Sequence, residues 1–88
     1  MKRPKVGETY ITTSDIRGAS RVEHRLVGGV EMKIVPLYGD STILAETPVR
    51  VLRVIGTQGR RIAHVETVAA PFREVQVHWD NLAPMGAY

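Results

Sequence analysis

The hydrophobic positions between Pro48 and Val68 form two runs rich in β-branched residues that flank a short glycine-bearing segment. The runs cover residues 49–55 and 62–68, and residues 56–59 between them read Gly-Thr-Gln-Gly. β-Branched residues favour strands, and a glycine-bearing connection between two such runs is typical of a β-hairpin. The pattern therefore predicts a hairpin over residues 48–68, which we call the central hairpin.

The simplest pairing of the central hairpin sets Ile55 opposite Arg60, and neighbouring side chains then alternate between two faces. One face holds an apolar centre closed by two arginines: Leu52, Val54, Ala63 and Val65, with Arg50 and Arg61. The other face mixes apolar with polar residues: Val49, Val51, Ile55, Ile62, Arg53, Arg60, His64 and Glu66. Because both faces are partly apolar, we expect strands that bend as in a small barrel, or a second surface that covers the outer face. A bulge near the loop would shift the register by one residue and exchange the members of the two faces.

A second regular alternation covers residues 74–79 and predicts another strand. Its apolar positions are predicted to face the core: Val75, Val77 and Trp79. Its polar positions are predicted to face outward: Glu74, Gln76 and His78. After it, Asp80-Asn81-Leu82 predicts a short helical turn near 80–83, with Asp80 as its cap and Leu82 returning to the core.

The N-terminal half carries weaker patterns. Residues 6–13 predict a first strand, which Ser14-Asp15 and then Gly18 interrupt. Residues 20–23 read Ser-Arg-Val-Glu, a capping box that would open a short helix, so residues 20–27 have both a helix and a strand interpretation. Gly28-Gly29 favours the strand, because it lies where a hairpin turn would be.

That second hairpin joins residues 21–27 to residues 30–37 through a loop of Gly28, Gly29 and Val30. One face would then hold the apolar positions and one histidine: Val22, His24, Leu26, Met32 and Ile34. The charged residues Arg25, Glu31 and Lys33 would point the other way. Pro36 ends the strand or places it at a sheet edge, because proline has no N–H to donate. Residues 38–41 form a turn, and residues 42–46 form a short strand or an extended link to Pro48.

These elements predict an all-β fold, a small barrel of five to six short antiparallel strands built on the central hairpin, with an extra N-terminal hairpin and the helical turn. The 88 residues suit a single domain, which we place at 6–84 between a flexible basic arm at 1–5 and a tail at 85–88. The chain has no cysteine, so packing or a partner subunit must supply the stability that disulfides or bound metal would otherwise give.

Val6-Gly7, residues 48–66 and the last strand with its turn, 75–82, resemble the SH3-like small β-barrel proteins. More narrowly, they resemble small proteins of actinobacteria and their phages, over roughly half of the chain. The resemblance implies a small non-enzymatic binding module of phage origin. It does not select the ligand, because members of the wider class bind peptides, modified side chains, RNA or DNA.

Catalytic, metal-binding and membrane signals are missing from the sequence. The histidines His24, His64 and His78 lack the spacing of a metal site, and no serine lies in a nucleophile elbow. No phosphate-binding loop is present, and no run approaches the roughly 20 apolar residues that cross a bilayer. We therefore expect a cytoplasmic protein that is not an enzyme and needs no metal or other cofactor.

The basic residues favour a nucleic acid as the partner. The net charge is +3, and arginine, whose fork suits phosphate geometry, supplies nine of the 12 cationic side chains. Four arginines on or beside the central hairpin are predicted to contact DNA or RNA: Arg53, Arg60, Arg61 and Arg73. Phe72 or Trp79 would stack on an unpaired base, or else Trp79 belongs to the core and the arginines form a solvated rim.

The outer face of the central hairpin gives the alternative function. Four of its apolar residues would form a protein interface: Val49, Val51, Ile55 and Ile62. An exposed apolar patch of this kind usually marks an interaction site. The alternative is therefore a protein-interaction or self-assembling domain, with a host protein, a phage protein or a second copy of the chain as partner.

Overall fold

The computed structural model describes residues 3–36, 39–56 and 59–87, and these residues form an all-β structure. Two short 3-10 turns, Trp79–Asn81 and Met85–Ala87, accompany the strands. The strands are β1 (Thr9–Thr12), β2 (Ile16–Arg21), β3 (Glu23–Val27), β4 (Val30–Ile34), β5 (Ser41–Ile43), β6 (Pro48–Ile55), β7 (Ile62–Thr67), β8 (Glu74–His78) and β9 (Leu82–Pro84). The described ranges contain no helix with the length and hydropathy needed to span a bilayer.

Seven strands form one curled, half-barrel sheet in the order β5-β2-β8-β7-β6-β1-β9, in which every pairing is antiparallel. The central hairpin supplies β6 and β7, and β8 lies beside β7, so the two most regular sequence patterns form the middle of the sheet. Strands β3 and β4 pair only with each other and make a separate two-stranded sheet. The fold class predicted from the sequence is confirmed.

The register of the central hairpin differs from the simplest pairing. Ile55 lies opposite Ile62, and the pairing shifts between Val51 and Arg53, so Leu52 is the extra residue of a bulge. Before the bulge Val49 and Val51 face the core, and after it Val54 does, because the extra residue reverses the alternation. The loop at residues 56–59 lies partly outside the described residues, since 57 and 58 are not among them.

The prediction that Val49 and Val51 face outward was therefore wrong. Both are fully buried against the inward residues of β7 and β8. Arg50, predicted on the inner face, lies opposite Glu66 on the outer face and forms an ion pair with it at 3.5 Å between Nη1 and Oε1. Leu52 is half-buried at the bulge.

The core lies on the concave side of the sheet. All seven strands of the sheet and the turn after β8 contribute residues to it. Its buried residues are Tyr10, Ala19, Ile43, Val49, Val51, Ala63, Val65, Val75, Val77, Trp79 and Leu82. The predicted inward positions of β8 and the return of Leu82 to the core are confirmed. The predicted cap of the turn was wrong, because Asp80 lies inside the turn and its N–H donates to Nδ1 of His78, the capping residue, at 3.4 Å.

The N-terminal residues 3–5 lie against this sheet. Pro4 is buried, the Lys5 N–H donates to the Tyr10 hydroxyl at 2.9 Å, and the Gly7 N–H donates to the Val51 carbonyl at 2.7 Å. Strand β1 begins only at Thr9, after the turn at Val6 and Gly7.

Residues 20–27 are extended, so the strand interpretation is confirmed and the helix interpretation was wrong. Gly28 and Gly29 form a two-residue turn with φ of 58° and 81°, the backbone that a tight hairpin with two left-handed positions requires. Val27 lies opposite Val30, so the loop is one residue shorter than predicted. His24 and Leu26 consequently share a face with Lys33 and Glu31, not with Met32 and Ile34.

Candidate interaction site on the projecting hairpin

The hairpin Glu23–Ile34, which we call the projecting hairpin, leaves the main sheet just after Val22. Val22 is buried and its N–H donates to the Glu74 carbonyl at 2.8 Å, which fixes the last point of pairing with β8. Beyond it, all strand residues of β3 and β4 are exposed apart from the half-buried Ile34. The hairpin therefore extends into solvent from the point where the pairing of β2 with β8 ends.

One face of the projecting hairpin is mostly apolar. Alternation from the observed register places four apolar side chains on it, which we call the apolar stripe: Val27, Val30, Met32 and Ile34. Three of them are well exposed, Val27 at 53%, Val30 at 63% and Met32 at 47%. The remaining residues of this face, Glu23 and Arg25, form an ion pair at 2.8 Å between Oε2 and Nη2.

The opposite face of the projecting hairpin is polar and attaches to β8. It carries His24, Lys33 and Glu31, together with Leu26 at 78% exposure. The His24 ring lies between two carboxylates: its Nδ1 is 3.0 Å from Glu31 Oε1 and its Nε2 is 2.8 Å from Glu74 Oε1. Two N–H donors, and hence a protonated ring, are needed to bond both ionised carboxylates.

Glu74 is the point where the projecting hairpin meets the main sheet. Its second oxygen, Oε2, is 2.9 Å from Nε2 of His64 and 3.6 Å from Nζ of Lys33. The His64 side chain is only 8% exposed although it lies on the outer face of β7, and its hydrogen bond to Glu74 satisfies that ring nitrogen. One carboxylate therefore connects β4, β3 and β7.

The contacts shift the pKa values of His24 and Glu74 in opposite directions. The hydrogen bond to Glu31, then that to Glu74, raises the pKa of His24 above its usual 6.5, although partial burial opposes the rise. Burial alone would raise the pKa of Glu74, but the hydrogen bonds from His64 and His24 outweigh it and lower that pKa below its usual 4.5. Both shifts favour the charged pair over the neutral groups.

An open cleft of about 520 Å³ lies at the base of the projecting hairpin. Three arginines and three glutamates line the cleft: Arg21, Arg25, Arg73, Glu23, Glu66 and Glu74. Phe72, which is 72% exposed, also lines it. Because the charges balance, the cleft offers no strong field of one sign for a phosphate chain or a cation. Within the described ranges, no three or more histidines, aspartates or glutamates converge as metal ligands would.

The structure separates the four arginines that the sequence groups together. Arg53 and Arg60 are exposed and pair with no acidic residue within the described ranges, and Arg61 contacts Asp80 at 3.5 Å between Nη1 and Oδ2. These three lie on the loop half of the central hairpin. Arg73 lies at the opposite end, where its N–H donates to Thr67 Oγ1 at 2.9 Å and its guanidinium donates to the Thr42 carbonyl at 3.2 Å.

The structure leaves only two of the four residues of the predicted protein interface on the outer face. Val49 and Val51 lie in the core, and Ile55 and Ile62 remain as a half-buried pair on the outer face. Two half-buried side chains leave much less accessible apolar surface there than the apolar stripe does. Trp79 is buried, as its core interpretation requires, and its indole Nε1 has no hydrogen-bond partner among the residues described.

The apolar stripe and the role of Glu74 escaped the sequence interpretation. Alternation predicts an apolar face for this hairpin without showing what covers it, and the structure leaves the apolar positions of the stripe in solvent. The available signal was apolar residues on both sides of the turn, since Leu26 and Val27 are neighbours and must point to opposite faces. A hairpin with one dry face would not show that pair.

Comparison of the chain with protein-family models, with curated proteins and with solved structures finds no match. The resemblance to SH3-like barrels therefore stays a prediction.

Proposed function

We propose that the protein is a self-associating interaction module, in which the apolar stripe of one copy packs against the apolar stripe of another. The observation that carries this proposal is the exposure of Val27, Val30 and Met32 on one face of a hairpin that has no core of its own. An isolated two-stranded hairpin is marginally stable in water, and exposed apolar patches usually mark interaction sites. A covering surface would stabilise the hairpin.

The accessible surface supports a second copy as the occupant. The chain exposes 5915 Å², whereas a compact monomer of this 9.8 kDa mass is expected to expose about 5,200 Å². The excess of about 700 Å² is close to the area of about 800 Å² that each partner buries in a standard protein interface. The excess surface of the chain is thus close to what one half of a dimer interface needs.

The residues of the apolar face are also self-complementary. A two-fold interface brings the same patch of both copies together, so the apolar stripe meets apolar side chains. Glu23 and Arg25 lie beside the stripe on the same face and carry opposite charges. In a two-fold pair, Glu23 of one copy can therefore meet Arg25 of the other. A strongly charged patch of one sign would oppose such pairing.

Amide spectra recorded over a range of protein concentrations test this surface. We expect concentration-dependent shifts at residues 25–34 and none at the loop half of the central hairpin. Val30→Arg should abolish these shifts, because it places a charge in the apolar stripe. Val6→Arg is the matched control, since Val6 is 62% exposed and lies outside the projecting hairpin. Shifts that survive Val30→Arg, or that map elsewhere, would contradict the proposal.

Nucleic-acid binding is the second candidate function, on the loop half of the central hairpin. Arg53, Arg60 and Arg61 support it, because they are exposed cations of which only Arg61 contacts an acid within the described residues. Binding through phosphate contacts should weaken with salt, with a slope of log affinity against log salt of about 0.9 for each phosphate engaged on a duplex. Arg73, which bonds to Thr42 and Thr67 at the other end, takes no part in this version.

Fluorescence anisotropy with labelled single-stranded and duplex oligonucleotides measures this binding. The triple change Arg53→Ala, Arg60→Ala and Arg61→Ala should remove it and should leave the far-ultraviolet circular dichroism unchanged. Arg25→Ala, which removes an exposed arginine from the projecting hairpin, should lower it only slightly. An absence of binding by the wild-type chain at about 50 mM salt would exclude this candidate.

A further inference from the structure

The His24 ring is placed so that both of its nitrogens face a carboxylate oxygen from a different element. Nδ1 faces Glu31 of β4 at 3.0 Å, and Nε2 faces Glu74 of β8 at 2.8 Å. A protonated ring donates to both oxygens at once. A neutral ring has one N–H, and its other nitrogen presents a lone pair to an acceptor, which is repulsive at such a distance.

We propose that His24 is a protonation switch that holds the projecting hairpin against β8 when the ring is charged and releases it when the ring is neutral. The proposal goes beyond self-association and does not depend on it. The bridge between His24 and Glu74 is the shortest polar contact between side chains of the projecting hairpin and the main sheet within the described residues. Its loss removes the shortest side-chain link between the projecting hairpin and β8.

The contact to Glu74 is the one that a neutral ring gives up at lower cost. Glu31 lies on the same hairpin as His24, so a neutral ring keeps its single N–H on that neighbour without reorienting β3 against β4. Glu74 retains the N–H of His64, which belongs to the main sheet, at 2.9 Å after His24 leaves. Release therefore leaves no partly buried carboxylate without a partner.

The sign of the pH dependence follows from the two shifts. Because the pKa of His24 is raised, the stabilisation that its charged ring gives to the folded chain is complete below pH 6.5. It is lost as the pH rises through the raised pKa. Because the pKa of Glu74 is lowered, the stabilisation that its carboxylate gives is present above pH 4.5 and is lost as the pH falls through the lowered pKa. The switch is therefore closed in mildly acidic solution and opens on the alkaline side of the usual histidine range.

Other charged groups surround His24 and must be followed separately. On β4 these are Glu31 and Lys33, and on β8 the group is Glu74. His64 and Glu66 come from β7, while four more line the cleft from β2, β3 and the loop before β8: Arg21, Glu23, Arg25 and Arg73. Of these, only His64 carries a second imidazole ring, so the two ring signals need to be assigned individually.

Nuclear magnetic resonance of the 88-residue chain tests the switch. The His24 Hε1 signal and the amides of residues 24–34 are followed from pH 5 to 9, and we expect one common midpoint above 6.5. Glu31→Gln should lower both midpoints together, because it removes the largest cause of the raised pKa at an exposed position that cannot disturb the core. His78→Gln, which changes an exposed histidine on β8 that contacts Asp80, should move neither midpoint.

Two further variants keep the outcome clear. His24→Gln should abolish the inflection at residues 25–34, since a glutamine amide does not titrate. Val30→Arg should retain it, which separates the switch from self-association. Hairpin amides that show no inflection at the His24 midpoint would overturn the proposal, as would a Glu31→Gln chain in which the ring midpoint moves and the hairpin midpoint does not.

Discussion

Glu74 joins segments that are far apart in the sequence, because His24, Lys33 and His64 all direct a nitrogen toward its two carboxylate oxygens. The sequence predicts only that Glu74 points outward from β8, and this is confirmed. Its partners could not be predicted, since a local pattern carries no information about which residue 50 positions away will lie beside it. At the scale of single residues, alternation gives the side of a strand and leaves the contacts open.

Leu52 and Val51 show the same limit inside the central hairpin. Uniform alternation places Leu52 in the core, but the bulge places Val51 there and leaves Leu52 half-buried. A bulge needs no change in composition, and no glycine marks its position, so no local pattern predicts it at Leu52.

The bulge predicts an unusual order of two substitutions. Val51→Ala should lower the free energy of unfolding by about 2 kcal/mol, because it leaves a cavity in a fully buried site. Leu52→Ala removes more carbon, yet it should cost only about 1 kcal/mol because the site is half-buried. Urea denaturation measures both values, and a larger loss for Leu52→Ala would show that the uniform register is the correct one.

The sequence predicts the projecting hairpin only in part. Gly28-Gly29 correctly predicts two strands and a tight turn, since glycine is the residue that two successive positive φ angles favour. The loop length was overestimated by one residue, and that error exchanged the partners of His24 and Met32 across the hairpin. Alternation alone does not predict exposure, because it is the same for a hairpin that covers a core and for one that covers another molecule.

Gly29→Ala tests whether the projecting hairpin opens independently of the main sheet. A Cβ at Gly29 meets no atom within 4 Å, so the cost comes only from φ of 81° and should be about 1 kcal/mol. We expect amide hydrogen exchange to quicken about fivefold at residues 24–33 and to stay unchanged in β6 and β7, because local opening need not disturb the sheet. Gly86→Ala is the control, since that site is equally open and has no positive φ. Equal acceleration throughout the chain would contradict an independent hairpin.

The whole molecule is more elaborate than its sequence pattern predicts. The all-β class and the central position of residues 48–68 follow from local alternation and are confirmed. The seven-strand order does not, because β1 lies between β6 and β9 and β2 lies between β5 and β8, which are long-range pairings that no local pattern encodes. The three-residue strands β5 and β9 are also too short to show a period, and β9 was not predicted at all.

At this scale the central claim concerns how many chains make up the functional unit. The surface excess and the exposed apolar stripe are properties of one chain that a second copy would cover. Sedimentation equilibrium of the wild-type chain in mildly acidic solution, over a wide range of concentrations, tests that claim most directly. The apparent mass should rise with concentration from 9.8 kDa to twice that value, and the mass of Val30→Arg should stay at 9.8 kDa. A wild-type chain that remains at 9.8 kDa at every concentration would contradict self-association.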